Sequence, residues 1–177
     1  HSNWKRRNHW HRCCGHPLTN KAFMNILITN DDGIDAPGLA AMESLASRYG
    51  TPYTFAPKTE QSGVGHRVTI SQQLDVIQES EFRYSVDGTP ADCVKLAINE
   101  LMNRKPDLCV SGINHGSNSS INVIYSGTMS AAIEAGIEGV PAIGFSLLDY
   151  RWTADFEPLK PFIEKITLNA LKNSIPS

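Results

Sequence analysis

The sequence predicts an α/β fold: a Rossmann-like, mostly parallel sheet with helices on both faces. Three features predict it. From Met24 onward, short apolar runs alternate with longer helical patterns. The segments joining them are short, which favours covered parallel strands over a meander. Polar residues with chemical capability gather directly after the apolar runs, where ligands of such sheets bind.

Residues 25–29, "NILIT", form the first expected strand, and residues 37–47 the first helix, with Pro37 in its opening turn. Gly50 is expected to end that helix, and residues 53–56 supply the second strand. A glycine-containing loop, "PKTEQSGVGHR", follows. Two partly exposed strands are expected within residues 68–78 and 82–86. Asp87-Gly88 turns the chain, Thr89 caps the next helix and Pro90 starts it. Residues 107–110 are a short strand leading into "SGINHGSNSS", read as a loop. A helix runs from about Ser126 to Glu138, residues 141–147 form another strand, and residues 156–173 a final amphipathic helix. The chain shows no internal repeat and no low-complexity linker.

The chain of 177 residues suits one ordinary domain with a core, and its net charge of −2 gives no support to binding a nucleic-acid polymer. No uncharged run is long enough for a membrane-spanning helix, so no membrane partner is expected. Residues 1–23 differ from the rest. They hold Lys5, Arg6, Arg7, Arg12 and Lys21 without an acid and show no structural period. The segment reads as an extension, disordered or added by cloning, with residues 24–177 as the domain. His9, His11, Cys13, Cys14 and His16 are soft-metal ligand types, but their spacing fits no common zinc module. Cys93 and Cys109 lie singly in apolar runs and read as small buried residues. A reducing, cytoplasmic setting is expected.

Right-handed crossovers place every strand-to-helix loop at one edge of the sheet. Asp31-Asp32, Ser62, Asn114 and Asn118, and Ser126-Gly127-Thr128, distant in sequence, are therefore expected to converge there. Two adjacent carboxylates repel each other, and a divalent cation between them would offset that repulsion. Hydroxyl and amide oxygens from Ser62 and Asn114 would complete an oxygen-rich shell, which favours Mg²⁺ or Mn²⁺. On local spacing alone, Asp31 capping a helix and Asp32 in a turn with Gly33 explains "DDG" equally well. "YSGTMSAA" offers backbone N–H groups and hydroxyls at a helix entrance, as a phosphate cradle or as plain capping. His66 and His115 are candidate proton donors, and Asp92 and Glu134 read as surface or capping groups. A hard metal with a phosphate cradle points to phosphoester hydrolysis by activated water, with Asp31 or Asp32 as base. No P-loop or nucleophile elbow is present.

"ILITNDDGIDAPGL", "PKTEQSGVGH", "VDGTPADCVKLA", "DLCVSGINHGSN" and "YSGTMSAAIEA" occur in the order seen in the SurE family, and the chain resembles that family from Met24 onward. The resemblance implies a Rossmann-like domain hydrolysing nucleoside 5′-monophosphates, with 3′-nucleotidase and exopolyphosphatase activity as further possibilities. It implies a divalent ion, Mg²⁺ or Mn²⁺, held by Asp31, Asp32, Ser62 and Asn114. It places phosphate at Asn118, Ser126, Gly127 and Thr128. Family members usually continue beyond "LKNSIPS" with further sheet and an arm exchanged between subunits. A homodimer or tetramer is thus expected of the longer protein. Two rivals make different demands. An aspartyl-phosphate enzyme wants "DxD" rather than adjacent aspartates, and a dinucleotide-binding module without turnover wants GxGxxG after the first strand.

Overall fold

The computed structural model describes residues 24–173. The expectations for residues 1–23, including the soft-metal ligand types, lie outside that range. Six strands are present: β1 (Met24–Thr29), β2 (Gly50–Pro57), β3 (Val76–Ser80), β4 (Arg83–Val86), β5 (Leu108–His115) and β6 (Ala142–Leu147). The helices are α1 (Pro37–Ala46), α2 (Pro90–Leu96), α3 (Asn122–Tyr125), α4 (Gly127–Ile137) and α5 (Lys160–Asn173). A π-helical turn, Ala97–Leu101, extends α2, and a 3₁₀ turn, Glu157–Leu159, leads into α5.

The strands lie in the order β3-β4-β2-β1-β5-β6, all neighbours parallel except β3 with β4. The chain builds outward from β1 through β2 to β4, then returns to place β5 on β1's other side. Strand order therefore reverses between β1 and β5. That reversal opens a crevice at the strands' carboxyl ends.

Alternation along the central strands sorts the core into two layers. Ile26 and Ile28 of β1, with Leu108 and Val110 of β5, face Leu39, Met42 and Leu45 of α1 and Ile163 of α5. Leu27 and Cys109, one residue out of phase, face Cys93 and Val94 of α2 and Ala131 and Ala135 of α4. This period of two is what a sheet covered on both sides demands. Each fully buried Leu or Ile contributes about 1.5–3 kcal/mol before entropy is counted. Cys93 and Cys109 are buried and unpaired, and burial raises both thiols, Cys109 to about 12.

Four boundaries differ from the sequence reading. β2 starts at Gly50 itself, because β1 passes so close that a side chain there would meet the Met24 carbonyl. Residues 68–75 are irregular, and the strand in that region begins only at Val76. β5 continues through "SGINH" to His115, with a register shift against β6 between Ser111 and Asn114. α3, a single turn between the loop and α4, carried no sequence signal.

Asp92 does cap, but it is buried rather than exposed. Thr89 and Asp92 form a reciprocal capping box at the start of α2. Asp92 also accepts from the backbone N–H of Thr69 (2.8 Å) and from its hydroxyl (2.7 Å), tying the irregular 58–75 segment to the core. Burial pushes its carboxyl up, but these hydrogen bonds outweigh burial and hold it below the ordinary range. The stability it contributes is therefore present above the ordinary carboxylate pKa and is lost as pH falls through the depressed folded value. Asp92→Ala is expected to cost about 2 kcal/mol at pH 7. Urea unfolding of both proteins should show that gap closing below about pH 4.

Candidate active site

β1 ends by delivering Asn30, Asp31 and Asp32 to the crevice. Asn30 donates from Nδ2 to the Gly33 carbonyl (2.9 Å), closing the turn, and Gly33 adopts φ +104°, open to glycine at low cost. α1 then starts from Ala36 with no side-chain cap, so neither aspartate is used up there.

Asp31 is 4% exposed and points at the start of α4. Thr128, wholly buried, donates its hydroxyl to Asp31 Oδ1 at 2.5 Å, across 97 residues of sequence. The backbone N–H groups of Gly127 and Thr128 also serve Asp31. Gly127 makes the approach possible, since a Cβ there would lie 2.6 Å from Asp31's own Cβ. The helix entrance read as a phosphate cradle is thus directed at a carboxylate of this chain. Burial raises the Asp31 carboxyl, and these donors partly restore it. Ser126 caps α4 through Met129 N–H (3.1 Å), which leaves its hydroxyl proton available.

Asp32 is different. Its Oδ2 is buried and has no hydrogen-bond partner. Burial first, then the negative charge of Asp31, pushes its carboxyl up to about 6, with His115 acting in the opposite sense. An anionic oxygen left bare beside a second carboxylate is a demand for a cation.

Asn114 lies at the end of β5, and its amide nitrogen donates to the carbonyls of His115 and Gly116 and to Asn118 Oδ1. Those donations leave its amide oxygen as the end it can offer a ligand. Asn118 in turn holds an unpartnered buried amide nitrogen, a donor suited to an anion. Ser62 is exposed and bonds to Glu60 (2.7 Å) rather than to either aspartate. Its loop is nevertheless tied to the site, because Gln61 N–H donates to the Asp31 carbonyl (2.7 Å).

His66 and Glu134 form a contact sequence reasoning did not foresee. Glu134, expected at the surface, is 4% exposed and sits 2.6 Å from His66 Nε2 and 2.9 Å from Lys95 Nζ. Its spacing from Ala131 and Ala135, both on the buried face of α4, was the available signal. With Gly65 N–H on the Tyr125 carbonyl (3.2 Å), this contact holds the Ser62 loop against α3 and α4.

Among the described residues no three His, Cys, Asp or Glu side chains converge to hold a metal. A cation here would rest on two carboxylates completed by neutral oxygens, the donor set of a hard ion. The bare Asp32 oxygen and the oriented Asn114 amide fit that role. A cavity of about 640 Å³ lies elsewhere, lined among the described residues by Lys165, Ile166, Leu168, Asn169 and Lys172 of α5.

Fold and site together define a doubly wound α/β protein with a carboxylate-bearing crevice at its switch point. The chain belongs to the SurE family: residues 26–177 match the family described as Survival protein SurE. It is 62% identical over 156 residues to the 5′-nucleotidase SurE of Flavobacterium johnsoniae, covering 85% of this chain and 60% of that protein. The 5′-nucleotidase SurE of Christiangramia forsetii is 61% identical over 163 residues, covering 89% and 63%. The crystal structure of the SurE protein from Aquifex aeolicus superposes with a TM-score of 0.81 at 39% identity, covering 86% of this chain and 62% of that one. The chain therefore spans 60–63% of the length of these relatives.

Proposed function

We propose that this chain carries the catalytic part of a metal-dependent 5′-nucleotidase, releasing phosphate from nucleoside 5′-monophosphates. The observation that supports it most is the unpartnered Asp32 Oδ2 beside Asp31, at the switch point of the sheet. The relatives named 5′-nucleotidase SurE supply the substrate class.

In this reading Asp31, Asp32, Ser62 and Asn114 hold Mg²⁺ or Mn²⁺. When bound, such an ion polarises a phosphoryl oxygen and lowers the pKa of water. Asn118 Nδ2 and the Ser126 hydroxyl donate to the phosphate. Gly127 gives the phosphate and Asp31 room at the helix entrance, and Thr128 fixes the Asp31 carboxylate. Whichever carboxylate oxygen of Asp31 or Asp32 the ion leaves free would orient the attacking water and take its proton. The water oxygen would bond to phosphorus as the bond from phosphorus to the nucleoside oxygen breaks, the nucleoside alkoxide taking up the proton the aspartate received, so no covalent intermediate on an aspartate is required.

The test is phosphate release from 5′- and 3′-monophosphates and from polyphosphate, with chelator and with Mg²⁺ or Mn²⁺ restored. Chelator-sensitive release from 5′-monophosphates is expected, and 3′-nucleotide and polyphosphate turnover belong to the same proposal. Metal-independent release with a trapped phospho-aspartate would instead favour the aspartyl-phosphate route. A cytoplasmic setting belongs to the same reading, as does a homodimer or tetramer for a full-length family protein, an assembly that sedimentation checks. Among the described residues no helix is long and apolar enough to cross a membrane.

Thr128 gives a sharper test. Thr128→Val keeps the shape but removes the donor to Asp31 Oδ1, a hydrogen bond to a charged group. Metal affinity measured by calorimetry is expected to fall about tenfold or more, with Thr128→Ser restoring it. Unchanged affinity in the valine variant would separate Thr128 from the metal site.

A further inference from the structure

The segment after β6 presents two large rings to solvent beside the site: Tyr150 is 75% exposed and Trp152 58%. Isolated exposed aromatics need no explanation. These two are backed by consecutive residues of the site's own strand end. The Tyr150 ring lies so close to Gly116 that a Cβ there would fall 2.3 Å from its Cε1. Gly116 has φ +92°, and its carbonyl accepts from Asn114 Nδ2 (3.2 Å). Trp152 stacks on His115, with centroids 5.4 Å apart and planes 17° from parallel, and Phe156 meets His115 edge-on at 5.2 Å.

The backbone between the rings is held as well. Asp149 N–H donates to the Leu147 carbonyl (2.7 Å), Arg151 pairs with Asp149 (2.6 Å), and Ala154 N–H donates to the Arg151 carbonyl (2.9 Å). Open yet immobilised rings bind a flat partner with little ordering cost. Their supports, His115 and Gly116, lie between Asn114 and Asn118, the residues placed at metal and phosphate. The rings therefore rest on the same strand-end loop that carries the residues assigned to metal and phosphate.

We propose that Tyr150 and Trp152 form the platform that stacks the base of the nucleoside monophosphate, an assignment resting on the nucleotidase reading above. Stacking tolerates any base, because each has a π-face. The platform therefore selects nucleotides over sugar phosphates without choosing among bases.

The test is calorimetric binding of AMP and of ribose 5-phosphate, which lacks the base, with Mn²⁺ present. The parent is expected to bind AMP about tenfold or more tightly than ribose 5-phosphate. Tyr150→Ala should erase most of that advantage and leave ribose 5-phosphate binding unchanged. Tyr150→Phe and Trp152→Phe, which keep an aromatic face, should retain it. Equal loss for both ligands, or AMP affinity unchanged in Tyr150→Ala, overturns the platform. So does an unchanged affinity accompanied by altered sedimentation, which would assign the rings to a contact between copies. If AMP binds through Tyr150 but no mononucleotide releases phosphate, the nucleotidase reading falls and the platform stands.

Discussion

Asp32→Asn is expected to abolish chelator-sensitive phosphate release while making the metal-free protein more stable. The two effects have one cause. Asp32 is half-buried beside Asp31, with its Oδ2 buried and unpartnered. Its carboxyl is pushed up to about 6 by burial first and then by Asp31. The folded state therefore binds a proton more tightly than the unfolded chain, whose carboxyl titrates at the ordinary value of 3.8. Stability of the metal-free parent accordingly falls as pH rises from about 4 to about 6. Asparagine removes that slope, so the metal-free variant is expected to be the more stable of the two at pH 7, by less than the full shift because solvent reaches part of the group. Activity moves the other way. Loss of an outer-shell partner costs a metal site about 10–100-fold, and losing a ligand costs more. Phosphate release should fall by more than about a hundredfold, and adding Mg²⁺ or Mn²⁺ should no longer raise the melting temperature. A variant that hydrolyses AMP at the parent rate, or melts lower without metal, would remove Asp32 from this role.

That opposition of stability and activity explains what the sequence made legible. The fold could be read because β1 and β5 alternate their apolar residues and the helices carry matching faces. Asp31 and Asp32 could be placed because a strand end is a place where topology, not packing, decides what a loop holds. Contacts that depend on distant partners could not be read. Thr128 looks like an ordinary helix-start residue until its hydroxyl meets Asp31, 97 residues earlier. "SGIN" reads as loop because it is small and polar. It is strand, with a register shift against β6 between Ser111 and Asn114. Glu134 looks like a surface charge by type, and only its partners, His66 and Lys95, account for its burial. Ser62 shows the converse: an oxygen of the right kind on the right loop, bonded in this structure to Glu60.

The approach of α1 to β5 makes Gly38 the position where one methyl group is expected to do most damage to the fold. A Cβ at Gly38 would lie 2.1 Å from the Ile113 carbonyl oxygen and 3.1 Å from its carbon. The obstacle is backbone, in the stretch of β5 between the pairs Ser111–Gly144 and Asn114–Ser146 with β6, so it cannot swing aside as the end of a side chain would. Helix propensity pulls the opposite way, because alanine is better than glycine in a helix by about 1 kcal/mol. Overpacking commonly costs about 1–3 kcal/mol and exceeds that where backbone must shift. Gly38→Ala is expected to lose about 3 kcal/mol net, seen as a melting temperature about 10 °C lower for a domain of this size. Gly136→Ala is the matched comparison: it lies within α4 with nothing within 4 Å of the added Cβ, so propensity alone should stabilise it slightly. Because Ile113 immediately precedes Asn114, whatever fraction of Gly38→Ala folds should also bind metal more weakly. A Gly38→Ala protein as stable as Gly136→Ala would mean that α1 and β5 do not meet as described. The proposed place of Asn114 in the metal site would then have to be drawn again.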